Sequence, residues 1–463
     1  MTRTTAVALV AALLWAAPPA RAQEDLDEIL GGFDDIEQAP STELEPDEPP
    51  LLPGWLEVNG ALSLGAAYGL WAHRTEARPH DKSYNGPNRL RAKLDLELEA
   101  ELFEDWEAKL SGFGFYDAIF ALRDRTSYDS RARERYEREL ELQEAWVRGR
   151  LHDHVDLKVG RQVLNWGRSD TLRVIDVINP LDNRDPGLVD IENLRRPVGM
   201  VRLDTFFGDW TLTGLVIPEV RTELLPAYGS DFVASPTPLP RTDAPRHWGD
   251  DPEFGGALMG VFRGWDVSFH ALRYWTNLPR LDFISQPLVP PPPLEFRHDR
   301  RTLVGAGGNL TLGNWLLKTE LAWIDAVHFA AAEDSERFDA MGGIEYYGFD
   351  DVVVALEVVN RHLMDYELAA KRFPDYAEED SLETALRVTA DLMNARLHLT
   401  ALGVVFGERG QNGMVHRLEA TWDLRDALSV TGGALIYVAG KSPSPANDWS
   451  RNDRLFVDLE WSF

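Results

Sequence analysis

Residues 90–102 read Leu-Arg-Ala-Lys-Leu-Asp-Leu-Glu-Leu-Glu-Ala-Glu-Leu, with apolar and charged side chains alternating at every step. In an extended chain Leu90, Ala92, Leu94, Leu96, Leu98, Ala100 and Leu102 share one face, and Arg91, Lys93, Asp95, Glu97, Glu99 and Glu101 share the other. A helix, at about 3.6 residues per turn, would scatter both sets around its circumference, so the stretch predicts a strand with one apolar and one wet face. The same period of two recurs on both sides. It predicts strands at about 55–72, 105–119, 143–151, 153–163, 197–207, 209–221, 254–263, 265–276 and 297–312. Further ones follow at 314–326, 336–347, 350–361, 384–392, 395–405, 412–423, 427–439 and 454–463, bringing the total to 18, with 16 also admissible.

The connections separate a soluble sandwich from a membrane barrel. Every second one is a short turn, at Glu104-Asp105, Leu151-His152-Asp153, Gly208-Asp209, Gly264, Gly313-Asn314, Gly348-Phe349, Met393-Asn394 and Leu424-Arg425-Asp426. The intervening connections are nearly all much longer, and such sorting by parity is what an outer-membrane barrel with short periplasmic turns and long external loops requires. Tryptophan adds independent support, because its ring favours the boundary between hydrocarbon and headgroups. Trp106, Trp210, Trp265 and Trp315 each follow a short turn by one or two residues, and Trp55, Trp422 and Trp461 lie at the same strand end. The expected fold is therefore all-β, a transmembrane antiparallel β-barrel over 54–463. Its size implies an aqueous lumen, since barrels of about 16 to 18 strands exceed what side chains can fill.

The remaining chain fits that setting. The first 22 residues have Arg3, an apolar run from Ala6 to Ala17 and a small-x-small site at Ala20-Arg21-Ala22, which predicts a signal peptide and a mature chain from Gln23. Residues 23–53 hold eleven acidic side chains and no Lys or Arg, with five Pro, and predict a flexible periplasmic tail. Ile29 to Asp35 forms an apolar island within it, read either as solvated linker or as a docking segment. The 463-residue chain has a net charge of −29, which argues against a nucleic-acid partner, and its lack of Cys rules out disulfides and thiol nucleophiles.

The connection at 164–196 is the candidate site. It holds six acidic and five Arg residues, almost balanced within an acidic chain, together with many turn formers. Such a loop can fold inward and narrow the lumen, or it can be an external loop tied down by its own Arg–carboxylate pairs. On the first reading the constriction is built by Arg161, Gln162, Arg168, Asp170, Arg173, Asp176, Asp182, Arg184 and Asp185, with Arg161, Arg168 and Arg173 facing Asp170, Asp176 and Asp182 across the opening. Two other loops have character. Arg131, Arg133, Arg135 and Arg138, interleaved with Glu134, Glu137, Glu139 and Glu141, predict a short solvated helix, and Pro290 to Pro293 a stiff polyproline segment at the rim.

From Gly160 to Trp210 the chain carries Gly160-Arg161-Gln162, Trp166-Gly167, Asn179-Pro180-Leu181-Asp182, Asp185-Pro186-Gly187, Asp190-Ile191-Glu192, Leu203-Asp204 and Gly208-Asp209-Trp210. This run resembles the outer-membrane family named domain of unknown function 1302, as does the island before the barrel, and Gly160-Arg161-Gln162 is more distantly similar to alginate-export-type porins. The resemblance implies an outer-membrane barrel that travels with transport machinery for hydrophobic compounds, and it brings no catalytic residues. Leu459, Trp461 and the terminal Phe463 likewise resemble the signal that such barrels present to their assembly machinery.

No Gly-x-Ser-x-Gly elbow, phosphate-binding glycine loop or His-Glu-x-x-His element occurs, and the acids at 182–192 lack EF-hand order. No enzyme activity, metal or cofactor is expected. The expectation is a porin-like channel in the cell outer membrane for a small or polymeric solute. The alternative is an outlet or docking component of an export or lipid transport system, recruited through the acidic tail. The expected partners are outer-membrane lipids, the barrel assembly machinery and a periplasmic transport protein.

Overall fold

The computed structural model describes residues 53–463 apart from 72–73, 75, 77–81, 189–193, 234, 244, 246–247, 285–293 and 442–448. The expected signal peptide, nearly all of the acidic tail with its apolar island, and the polyproline run lie outside the described residues. Eighteen strands form one antiparallel sheet closed on itself. In chain order they are β1 (Leu56–Gly69), β2 (Gly86–Phe103), β3 (Trp106–Asp117), β4 (Arg138–His152), β5 (Val155–Gln162), β6 (Val198–Phe207) and β7 (Trp210–Glu219). After β8 (Arg241–Asp243), which lies outside the barrel, come β9 (Trp248–Phe262) and β10 (Trp265–Trp275). A loop excursion holds β11 (Arg280–Phe283) and β12 (Leu294–Arg297), which join β8 in a three-stranded sheet. The barrel resumes with β13 (Arg300–Leu312), β14 (Trp315–Val327), β15 (Ser335–Phe349), β16 (Val352–Leu363), β17 (Asp380–Leu392), β18 (Leu397–Phe406), β19 (Met414–Arg425), β20 (Leu428–Val438) and β21 (Arg454–Ser462). Pairing of β21 with β1, from Ala61–Ser462 to Gly69–Arg454, closes the ring and leaves no free edge.

The wall is inverted relative to a soluble protein. On β14 the buried positions are Lys318, Glu320, Ala322 and Ile324, while Trp315 and Leu321 on the other face are exposed. Likewise Leu94 and Leu96 of β2 are exposed outward beside Leu62 and Leu64 of β1, and the charged set of residues 90–102 faces the lumen. There Lys93 pairs with Asp95 at 2.7 Å, and Lys109 of β3 reaches Glu97 at 2.9 Å and Glu99 at 3.0 Å. Exposed apolar residues outside and paired charges inside are the arrangement a bilayer around a wet channel demands. Among the described residues no helix is long and apolar enough to cross a membrane, so the strands do the crossing.

Aromatic rings gather at the short-turn end. Phe103 meets Trp106, Trp210 meets Phe262, Phe262 stacks on Trp265 at 4.3 Å, Trp315 meets Tyr346, and Trp461 meets Phe463. This girdle sets the topology and permits a direct check, because the chain has no native Cys. Lys371, whose side chain is 56% exposed in the loop before β17, lies at the opposite end from Asp209. Lys371→Cys is expected to react with an impermeant thiol reagent on intact cells while Asp209→Cys stays unlabelled; the reverse pattern would invert the barrel.

The helix expected from the Arg/Glu-rich stretch is shorter and less solvated than its charges suggest. It spans Ser130–Tyr136, capped by the Asp129 carboxylate on the Arg131 N–H at 2.9 Å, and β4 begins at Arg138. Alternation in Arg138-Glu-Leu-Glu-Leu142 outcompetes helix propensity once β3 offers a partner strand. Tyr128, Ala132 and Tyr136 of this segment are buried, packed with Ile119, Phe120 and Tyr84 inside the mouth of the barrel.

Candidate functional site in the barrel lumen

The connection between β5 and β6 turns into the barrel. Its apolar residues Leu164, Trp166, Leu172, Val174, Ile175 and Ile178 are buried against inward-facing Met200, Leu215, Ile217, Leu303, Ile324 and Val359, which span β6 to β16. Burying a side chain of this size stabilises by roughly 1.5–3 kcal/mol, so the loop and wall form a dry core within the lumen. Gly305 and Gly307 of β13 make the close approach possible, since a Cβ on Gly305 would lie 3.1 Å from Ile175 Cγ1 and one on Gly307 3.6 Å from Arg168 Cγ.

Two wall carboxylates hold the loop backbone. Glu320 of β14 accepts the N–H groups of Arg168, of Ser169 at 2.9 Å and of Ile175 at 2.9 Å. Glu357 of β16 accepts those of Asp170 at 2.7 Å and of Thr171 and Leu172 at 3.1 Å, and the Ser169 hydroxyl at 2.8 Å. At the loop base Asn179, fully buried, accepts the Leu164 N–H at 2.8 Å and donates to the Gln162 and Arg196 carbonyls. The far part of the loop reaches the opposite wall, where Leu188 packs with Leu435, Tyr437 and Phe456, and the Tyr437 hydroxyl donates to the Pro186 carbonyl. Residues 163–188 thus cross the lumen from side to side.

The sequence-derived site residues separate into groups. Arg168 pairs with Asp266 of β10 at 2.8 Å, and Asp170 with Lys318 of β14 at 3.0 Å; all four border a cavity of about 990 Å³ between the loop and the short-turn end. Arg173 and Arg195 both bind the buried Asp176 carboxylate at 3.0 Å. Arg173 and Asp176 are therefore partners within one loop, not opposite poles across an opening. Asp182 and Arg184 pair with each other, and Arg184 also reaches Glu139 at 2.7 Å near the Ser130–Tyr136 helix. Burial works against the charged Asp182, yet the hydrogen-bonded Arg184 guanidinium holds its carboxyl below the usual range. Asp185 lies in the turn that follows, its carbonyl accepting the Leu188 N–H at 3.1 Å.

Gln162 faces inward but is sealed under the loop, fully buried. Arg161 alternates outward with Val159, opposite Gly199, and binds Glu219 over that glycine; it belongs to the outer wall and does not join the others in the lumen. The transverse field expected from Arg161, Arg168 and Arg173 facing three acids is accordingly not what these contacts form. Glu320, Glu357, Lys318, Asp266 and Asn179 were missed as site residues. For the wall acids a signal exists, because an acid bounded by Ala and Val or Ile on an inward face, as in Lys318-x-Glu320-x-Ala322-x-Ile324, requires a partner inside the lumen.

A closed 18-stranded barrel with an inverted surface, an aromatic girdle and a loop folded into its lumen defines the porin type of outer-membrane protein. The chain belongs to the DUF1302 family, described as a protein of unknown function, whose model matches residues 3–463. Among solved structures it is similar to Acinetobacter baumannii OccAB2, with 9% identity over 88% of this chain and 98% of that chain and a TM-score of 0.51. It is also similar to Pseudomonas aeruginosa OccK5 (OpdH), with 10% identity over 88% and 98% and a TM-score of 0.48. A third similar structure is the outer membrane channel DcaP of Acinetobacter baumannii, with 11% identity over 88% and 97% and a TM-score of 0.42. At such identities the likeness is one of fold. No curated protein matches the chain significantly.

Proposed function

We propose that this barrel is a passive channel for a small solute, with the loop of residues 163–197 setting its narrowest passage. The observation that carries this reading is the wide polar cavity lying directly against a loop bolted across the lumen. The cavity is bordered by eight acidic and seven basic side chains, so passage would be governed by local charge pairs more than by overall charge. Arg168 and Asp170 are the loop charges at its ceiling. Residues 1–22 would serve as the export leader and residues 23–53 as a periplasmic tail able to recruit a transport partner.

Planar-bilayer recording tests the reading. The wild-type protein is expected to conduct, and Arg168→Glu, which places a third carboxylate beside Asp266 and Asp170, should shift the reversal potential toward cation preference. Absence of any conductance from correctly folded protein would remove the channel function. An unchanged reversal potential in the variant would remove Arg168 from the passage.

A further inference from the structure

Arg168 has a side chain only 8% exposed and lies 2.8 Å from Asp266 Oδ1, yet its Nε and Nη2 have no aligned hydrogen-bond acceptor and Asp266 Oδ1 no aligned donor. Asn309 stands opposite Asp266 in the β10–β13 register, is 9% exposed, and its Oδ1 also lacks a donor. All three line the same cavity. Each buried polar group left without directional pairing costs on the order of 1–3 kcal/mol, which makes three of them in one cluster informative.

Resting on the channel reading above, we propose that Arg168, Asp266 and Asn309 form a binding station for small zwitterionic α-amino acids on their way through the lumen. The two guanidinium N–H groups suit a carboxylate, which can accept both side by side. Asp266 Oδ1 and Asn309 Oδ1 call for N–H donors nearby, and an ammonium carries three. A hydroxyl has one hydrogen and can satisfy only one of the two oxygens, which disfavours a hydroxy acid. An α-amino acid holds its carboxylate and ammonium on one carbon, matching acceptor and donor needs that sit side by side.

The rest of the lining points the same way. Lys318 lies between Asp170, at 3.0 Å, and Glu345, while Arg202 pairs with Asp204 at 2.7 Å. Closely spaced opposite charges favour a dipolar molecule, whereas an ion of either sign meets attraction and repulsion of similar size.

Saturation-transfer NMR on the detergent-solubilised full-length protein tests the station without relying on conduction. L-Alanine is expected to bind in the millimolar range. Lactate and ethylamine, which lack one or other charged end, should bind roughly tenfold more weakly or worse, equivalent to one charge-assisted hydrogen bond. Asn309→Leu and Arg168→Gln should each reduce alanine binding several-fold, and Asn309→Leu leaves the loop contacts in place should the Arg168 variant fold poorly. Alanine binding no tighter than lactate or ethylamine, or undiminished in Asn309→Leu, would overturn the station. Wild-type protein that conducts in a bilayer without binding alanine overturns the station alone, and protein that binds alanine without conducting overturns the channel reading alone.

Discussion

Glu320→Ala combined with Glu357→Ala is expected to free the lumen loop and raise single-channel conductance several-fold. These two carboxylates accept six backbone N–H groups and one hydroxyl between Arg168 and Ile175. A hydrogen bond to a charged group contributes about 1.5–3 kcal/mol, and a stranded buried N–H costs a similar amount, although losses within one network do not add. The apolar contacts of Leu172, Val174 and Ile175 alone would then have to hold a segment whose backbone has lost its acceptors. Trypsin should cut after Arg168 or Arg173 in the double variant and spare both in wild type. Glu357→Gln supplies the control, since its amide oxygen still accepts and the change should be small. Wild-type conductance and protease resistance in a correctly inserted double variant would show that the apolar core holds the loop without the clamp.

Phe463→Asp is expected to reduce outer-membrane insertion in cells to a small fraction of wild type while leaving unaided refolding into detergent or lipid nearly intact. Phe463 exchanges both backbone hydrogen bonds with Gly60, at 2.8 and 2.9 Å, and its ring lies over that glycine beside Trp461. A carboxylate at the interfacial edge of a barrel costs only about 0–1 kcal/mol, too little to prevent folding. A severe loss in cells with normal refolding in vitro would therefore report recognition of Leu459, Trp461 and Phe463 by the assembly machinery. Phe463→Tyr keeps the ring and should insert normally. Equal insertion of the Asp variant would assign Phe463 to barrel closure alone.

The inverted wall and the loop clamp also limit what can change independently. A polar substitution at outward Leu94 or Leu459 meets lipid, whereas one at inward Leu303 or Ile324 breaks the core that holds the loop. The second kind should alter conductance as well as stability, because the lumen wall is the loop's packing surface.

By itself the sequence determined the number of barrel strands, the parity of their connections and the facing of each side chain, because a period of two is a local property. Residues 90–102 display it without any knowledge of neighbours, and Trp106, Trp210, Trp265 and Trp315 mark one end of the barrel because interfacial preference belongs to the ring itself. The three short strands outside the barrel, Arg241–Asp243, Arg280–Phe283 and Leu294–Arg297, escaped notice because each is too brief to show a period. Only the tertiary structure decided the partners of the loop charges. Arg168, Asp170, Arg173 and Asp176 were legible as a balanced set, but opposite charges attract whichever partner folding brings near. Asp176 is taken by Arg173 and Arg195, Asp170 by Lys318, and Arg161 is turned outward by its place in the β5–β6 register. The clamp by Glu320 and Glu357 lies about 150 to 190 residues from the backbone it binds. Such pairing depends on barrel closure and on an inward turn of the loop, which no local pattern encodes.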